Sequence, residues 1–333
     1  MSDANAEFQP PPPPTAQPTT PARERPVRLR MPAIILFVLG VLLAVLAAIK
    51  IVPISIGVGA SFCFFGVLLF ALSFIPLPDV PPSGEERMGL GQMLGSIFYE
   101  PARVFRSLRA HPRWLAPFLI ISVVTGVYAA AFVQRLTPER LINYTMDKVV
   151  EAGFAPAEVI DQQRQEEIQK AKNPVNRVAS ALQQFVGVFA LTCFVAGLYL
   201  LVITIFGGRI NFWQSLAVVF WASLPVVVIS KLLSLIILFV KDPADLHPIL
   251  GQETLVQDNL GILFSPAQNP ILFVAASAIG ALSFYGLWLR AKGLHNGGTK
   301  VSSTAGWGAA VTVWLLTVVL GLILAALFPG FMS

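Results

Sequence analysis

The feature that most restricts this chain is its long, nearly uncharged stretch at residues 183–241. The stretch holds two charged residues, Arg209 and Lys231, before the lysine at its end. As one helix it would be far longer than the roughly 30 Å hydrocarbon core of a bilayer, so it must turn back on itself. Residues 207–211 combine two glycines, an arginine and an asparagine, which suit a short loop at a membrane face. The stretch is therefore predicted to form a hairpin of two membrane-spanning helices.

The composition supports a polytopic membrane protein. The chain is 55% hydrophobic and 12% charged, against roughly 25% charged for a typical soluble domain, and its mean hydropathy is +0.72. The net charge of +5 comes without a basic stripe interleaved with aromatic residues, which argues against nucleic acid as a partner. The excess positive charge instead favours loops that face anionic membrane lipids.

The N-terminal part is predicted to be a tail followed by a membrane hairpin. Residues 1–31 are rich in proline and are predicted to form a disordered, polyproline-type cytoplasmic tail. A solvated tail is favoured over one that docks to an SH3-like partner. Residues 32–78 are predicted to form a transmembrane hairpin. Its first helix carries Gly40, Ala44 and Ala48 on one ridge, which predicts close packing of a neighbouring helix.

An amphipathic segment follows at residues 88–113. Apolar residues recur at near-helical spacing, and the polar side carries four arginines, Arg103, Arg106, Arg109 and Arg113. Glu100 followed by Pro101 is typical of a helix start. We expect one or two helices along the cytoplasmic leaflet, with the arginines forming a lipid-binding or partner-binding face.

The remaining chain completes an all-α bundle of seven predicted spans. The polar segment at 134–182 is predicted to carry two helices outside the membrane, and 241–270 an ordered external loop. The predicted spans are 33–49, 54–75, 114–133, the two arms of the hairpin, 271–289 and 305–328. In the last span Thr317, Gly321 and Ala325 form a second packing ridge.

The lysine and arginine count predicts the orientation. With the N-terminus inside, thirteen of these residues fall in cytoplasmic segments and nine in external ones, seven of the nine in residues 134–182. Without that segment, thirteen lysines and arginines lie in cytoplasmic segments and two in external ones. This difference predicts a cytoplasmic N-terminus and an external C-terminus.

Lys231 and Pro225 are the candidate intramembrane functional residues. Lys231 is the only charge inside a predicted span, and no acid occurs in any span. Snorkelling to water, or burial among carbonyl groups, is favoured over a functional role. The second arm, 212–240, is longer than one perpendicular span, so it is predicted to tilt, to begin along the interface, or to kink at Pro225.

No pattern for an active site is present in the sequence. The histidines, His111, His247 and His295, fall in three separate predicted loops, so no metal site is expected. Cys63 and Cys193 lie in apolar runs and are interpreted as packing residues. No nucleophile with a base, no paired carboxylates at bilayer depth and no phosphate-binding glycine motif occurs. The sequence predicts no enzyme, no catalytic residue and no cofactor.

From about residue 95 the chain resembles the bacterial members of the YIP (Ypt-interacting protein) family. The resemblance rests on residues 97–105 (Ile-Phe-Tyr-Glu-Pro-Ala-Arg-Val-Phe), 112–117 (Pro-Arg-Trp-Leu-Ala-Pro), Gly207-Gly208, 222–225 (Ala-Ser-Leu-Pro), Leu287-Trp288 and Gly293-Leu294. It implies a five-helix membrane domain over 88–330 with a cytoplasmic N-terminus, in a bacterial cytoplasmic membrane. Eukaryotic relatives engage small GTPases in vesicle trafficking. This chain lacks Asp-Leu-Tyr-Gly-Pro before the third span and has Trp221 where the eukaryotic pattern has Gly-Tyr, which argues against GTPase binding.

Two functions remain open from the sequence. The first is a non-enzymatic membrane scaffold or assembly factor that contacts lipids, other membrane proteins or a second copy of itself. The alternative is a transporter or lipid-handling protein with a cavity near Lys231 and Pro225.

Overall fold

The computed structural model describes residues 29–52, 55–78, 88–151 and 156–329. The predicted proline-rich tail up to residue 28 lies outside these ranges. Within them the chain forms thirteen α-helices and no strand. The helices are α1 (Arg30–Ala48), α2 (Ile56–Leu72), α3 (Leu90–Tyr99), α4 (Pro101–Ala110), α5 (Leu115–Leu136), α6 (Pro138–Glu151), α7 (Ala157–Lys172), α8 (Pro174–Ile205), α9 (Phe212–Val240), α10 (Leu250–Glu253), α11 (Pro270–Ser277), α12 (Ala281–Gly297) and α13 (Ser303–Leu327).

Five helices in the described ranges are long and apolar enough to cross a membrane: α1, α5, α9, α13 and the Ala181–Ile205 part of α8. Helix α2 is apolar but has only 17 residues. The predicted all-α membrane bundle is confirmed. The number of seven spans stays a prediction.

Helix α9 is the centre of the bundle. Every residue from 213 to 222 is buried, as expected for a helix that is apolar on all sides. The side chains of Trp213 and Phe220 belong to an aromatic cluster, and Trp114 stacks within 6.2 Å of Trp213. Phe118 and Phe189 contact Phe220 at 5.2 and 6.4 Å between ring centroids. This cluster joins α5, α8 and α9 near the start of α9.

The α1–α2 hairpin packs through small residues. A Cβ atom at Gly59 would lie 2.4 Å from the backbone nitrogen of Ala44, and one at Gly40 would lie 2.5 Å from the nitrogen of Cys63. The buried residues of α1 are Ala33, Gly40 and Ala47. The predicted ridge is therefore correct at Gly40 and wrong at Ala48, which is exposed. The buried residues of α1 lie seven positions apart, which is close to two helical turns and keeps them on one face.

Hydrogen bonds between connecting segments show which of them lie at the same end of the bundle. At one end, called the α4 end, Arg209 and Lys300 pair through their backbones, and the N–H of Arg209 donates to the Lys300 carbonyl at 2.9 Å. At the opposite end, called the α6–α7 end, Arg140 of α6 donates to the carbonyl groups of Pro243, Ala244 and Leu246. Which end faces the cytoplasm stays the prediction drawn from the charge count.

The sixth predicted span is two helices instead of one. α11 ends at Ser277, and α12 begins at Ala281 and continues to Gly297, through residues predicted as a linker. The Asp258 carboxylate accepts the backbone N–H of Leu282 at 2.7 Å, and the Leu260 N–H donates to the Ile279 carbonyl at 3.0 Å. A loop segment thus satisfies the backbone groups at the break, so an uninterrupted helix is not required there.

The polar segment folds as predicted in outline. Helices α6 and α7 match the expected pair, and α7 joins α6 by the Arg164–Asp147 pair at 2.7 Å. Ile160 and Ile168 on one face of α7 are buried, so this helix is not solvated on all sides.

Candidate functional site

The ammonium group of Lys231 is buried in the bundle and bound to the chain itself. The Lys231 side chain is 9% exposed, and its Nζ donates to the backbone carbonyl of Glu253. The same nitrogen lies 4.3 Å from the centre of the Tyr128 ring, a distance at which a cation is attracted to the ring face. The acceptor carbonyl lies in the connection between α9 and α11. The Lys231 side chain therefore binds this connection to α9.

Hydroxyl groups around Lys231 bind the same loop segment. Ser234, one turn further along α9, accepts the N–H of Leu255 at 3.0 Å. The hydroxyls of Ser230 and Thr254 are 3.0 Å apart. The Tyr128 hydroxyl donates to the Gly251 carbonyl. Helices α5 and α9 therefore fix residues 251–255 through several hydrogen bonds, and we call this set of contacts the Lys231 cluster.

His247 anchors the outer part of the same loop. Its Nδ1 accepts the backbone N–H groups of Ile249 and Leu250, each at 3.2 Å, and its Nε2 lies 3.2 Å from the Tyr144 hydroxyl. An Nδ1 that accepts two hydrogen bonds carries no proton, so the ring is the neutral Nε2–H tautomer. Burial, and then the nearby positive charge of Lys148, lower the pKa of His247.

Pro225 does not join Lys231 in one site. Pro225 is buried and α9 continues through it without interruption. The two residues are six positions apart, which places them on different faces of a helix with 3.6 residues per turn. Neither residue lines the cavities of about 560 and 940 Å³ that are described below.

The four arginines of the amphipathic segment have different surroundings. Arg103 and Arg106 are exposed. The guanidinium of Arg109 donates to the Asn296 carbonyl at the end of α12, at 3.0 Å, and that of Arg113 donates to the Met88 carbonyl at 3.0 Å. Arg109 and Arg113 thus bind backbone carbonyls, whereas Arg103 and Arg106 face outward, where Arg103 also pairs with Glu100 at 3.6 Å.

The apolar side of α4 packs on the protein, whereas the sequence predicts that it lies along the leaflet. Val104, Phe105 and Leu108 are fully buried. The contact with α12 depends on Gly293, where a Cβ atom would lie 3.0 Å from the Phe105 ring and 2.6 Å from Val218. Helix α4 is consequently a fixed part of the bundle.

A cavity of about 560 Å³ opens beside α4. Its lining includes Arg109, His295 and Lys300, with the glycines of both turns at this end. His295 was predicted to lie in a loop, but it belongs to α12, and its Nδ1 donates to the Val301 carbonyl at 2.7 Å. No carboxylate is among the lining residues, so the α4 end is positive both in the cavity and on the exposed face of α4.

Several important residues lack any motif in the sequence. The Gln214 side chain donates to the Arg109 carbonyl at 2.7 Å, the Trp221 indole to the Arg113 carbonyl at 2.8 Å, and the Trp213 indole to the Ile75 carbonyl at 3.0 Å. The one available signal was a polar atom inside an apolar stretch, since a buried donor needs an acceptor. Trp221 is fully buried, so this position belongs to the interior of the bundle.

Apolar helices of membrane length packed around a buried central helix define a multi-pass α-helical membrane protein. The family model described as the Yip1 domain matches residues 95–327, and the chain belongs to this family. The resemblance predicted from the sequence is thereby confirmed. Neither a curated protein nor a solved structure matches the chain. Within the described residues, no group of three or more His, Cys, Asp or Glu side chains is placed to hold a metal ion.

Proposed function

We propose that the protein is a non-enzymatic membrane scaffold whose α4 end contacts anionic lipid headgroups and other membrane proteins. The observation that carries the proposal is the fixed position of α4. Its apolar face is buried against α9 and α12, while Arg103 and Arg106 point away from the bundle. A cationic face on a rigid support binds an acidic partner without first ordering a flexible segment, and therefore at a lower entropic cost.

Charge reversal on α4 tests this function. The variant Arg103→Glu/Arg106→Glu inverts the exposed face and leaves Arg109 and Arg113 intact. The matched control is Arg135→Glu/Lys241→Glu, which makes the same change in charge with two exposed residues at the α6–α7 end. Chemical crosslinking in native membranes, followed by purification of the full chain, compares the partners of the three proteins. We expect the α4 variant alone to lose crosslinked partners, and identical partner sets in all three would contradict the proposal.

The alternative function is a transporter or lipid-handling protein that uses Lys231 and Pro225. The contacts of Lys231 favour the scaffold, because its ammonium holds the loop at residues 251–255. Transport through this region would require the loop to leave α9. Lys231→Ala separates the two functions: lost flux with intact assembly would support transport, whereas unchanged flux and assembly would support the scaffold.

A further inference from the structure

The second cavity lies between α5 and α8 at the α6–α7 end, away from the Lys231 cluster and from α4. Its volume is about 940 Å³, within the roughly 300–1,000 Å³ typical of small-molecule sites. The α5 wall presents Gly126, Ala129, Ala130 and Val133. These residues recur at helical spacing and therefore form one stripe along α5.

Small side chains on both walls create the cavity. A Cβ atom at Gly126 would meet nothing within 4 Å, and the α8 wall carries Ala181 and Gln184. From Gly126 to Thr137 the helical rise is about 16 Å, which is close to half of the ~30 Å hydrocarbon core. Because α5 is itself of membrane length, the cavity extends from the membrane surface to about the middle of the bilayer.

Charged residues of both signs close the cavity at the membrane surface. Glu139 of α6 pairs with Lys172 of α7 at 3.2 Å. Within α7, Glu167 pairs with Lys170 at 2.7 Å. Arg177 at the start of α8 also lines this part, and its Nε donates to the Ala171 carbonyl at 2.9 Å. A hydrogen bond from the backbone and the contact with Lys172 lower the pKa of Glu139, so this carboxyl group is ionised at neutral pH.

We propose that this cavity binds one phospholipid molecule from the leaflet on the α6–α7 side. The acyl chains lie along the stripe from Gly126 to Val133 and against Ala181. The phosphate faces Lys170, Lys172 and Arg177, and the positively charged ammonium group of a zwitterionic headgroup faces Glu139 and Glu167. A bilayer lipid matches the site in both respects, since it has an apolar part at bilayer depth and charges of both signs at the surface. This site goes beyond the scaffold function and does not depend on the α4 face.

The experiment uses purified full-length protein reconstituted with phosphatidylcholine that carries a photoactivatable acyl chain. Crosslinked peptides are identified by mass spectrometry, and native mass spectrometry counts the phospholipid retained after detergent exchange. The variant Gly126→Phe fills the cavity, where open space accepts a side chain. The control is Gly197→Phe, a glycine of α8 whose added Cβ also meets nothing within 4 Å and which does not line the cavity.

We expect wild type and Gly197→Phe to retain one phospholipid and to crosslink at the facing stripes of α5 and α8. Gly126→Phe should weaken the affinity for the phospholipid at least about tenfold, equivalent to roughly 1.4 kcal/mol, and so lower the fraction of protein that retains it. If this variant does not fold, Ala181→Phe fills the cavity from the other wall. Equal lipid retention in the filled and control variants would overturn the proposal, as would a protein dimer that is lost on filling the cavity. Charge reversal on α4 leaves this result unchanged, so the two proposals fail separately.

Discussion

The indole nitrogen of Trp213 donates a 3.0 Å hydrogen bond to the backbone carbonyl of Ile75. Trp213 begins the central helix of the Yip1 domain, whereas Ile75 follows the N-terminal hairpin, which lies outside the family match. Asn211, the N-cap of the same helix, donates to the Pro76 carbonyl at 3.1 Å. The hairpin is thus attached to the start of α9 by side chains that bind its backbone.

Substitution of Trp213 by phenylalanine should loosen this attachment. The change removes the donor and leaves the Ile75 carbonyl beside a fully buried ring, which costs about 1–3 kcal/mol. Thermal unfolding in detergent, with protease sensitivity of the hairpin as a second readout, measures the effect. Trp307→Phe is the control, because Trp307 is 39% exposed. Equal stability losses in the two variants would contradict the assigned role of Trp213.

Substitution of Lys231 by methionine should release the loop at residues 251–255. Methionine keeps most of the side-chain volume but cannot donate to the Glu253 carbonyl, so the bond that joins this segment to α9 is lost. Hydrogen exchange should rise at residues 251–255 and remain unchanged in α1 and α2. Lys241→Met is the control, because Lys241 lies exposed at the end of the same helix. Unaltered exchange at the loop in Lys231→Met would show that the hydroxyl groups alone hold it.

Substitution of Gly59 by alanine should separate α1 from α2. The added Cβ meets the backbone nitrogen of Ala44 at 2.4 Å, and backbone cannot move aside as a flexible side chain can. Overpacking of this kind costs about 1–3 kcal/mol. Gly187→Ala is the matched control, since its Cβ would meet nothing within 4 Å and alanine favours a helix by up to about 1 kcal/mol. The melting temperature should fall for the first variant and stay level or rise for the second.

The hydrogen bonds by which His247 holds Ile249 and Leu250 should weaken as the pH falls. Burial lowers the pKa of His247 in the folded protein, whereas in an unfolded loop the pKa lies near its ordinary value of about 6.5. The open form therefore binds more protons, and the stability contributed by neutral His247 is present above pH ~6.5 and is lost below it. The protection of the Ile249 and Leu250 amides against hydrogen exchange, measured relative to the intrinsic exchange rate at each pH, should fall on acidification in wild type. His247→Gln should show a smaller dependence on pH, and an equal dependence in both proteins would assign the effect to another group.

The sequence predicts the parts of this fold that depend on local signals. Proline at the first position of α4 marks a helix start in the chain itself, and the two glycines at 207 and 208 mark the turn between α8 and α9; both features are observed. The break between α11 and α12 has no such signal, because the carboxylate that caps α12 belongs to Asp258 on an earlier loop. A contact between distant residues decides where that helix stops.

The candidate sites show the same limit. Lys231 is recognisable as a lone charge in an apolar stretch, but its acceptor is a backbone carbonyl, and every residue carries one. The α5–α8 cavity arises from small side chains that elsewhere in the chain let helices approach each other. Gly59 and Gly126 are the same residue type in similar apolar helices, and only the neighbouring helix distinguishes close packing from open space.

The backbone pairing of Arg209 with Lys300 has a consequence for sequence variation. The Arg209 N–H donates to the Lys300 carbonyl, and the Thr299 N–H donates to the Arg209 carbonyl. These hydrogen bonds use no side-chain atoms. Substitutions at positions 209 and 300 therefore keep the backbone pairing between the two turns. Proline is the exception at 209, 299 and 300, where it would remove a donor, since the Lys300 N–H also donates to the Arg209 carbonyl at 3.3 Å. The charge at this end of the bundle can thus vary while the backbone pairing of the two turns is kept.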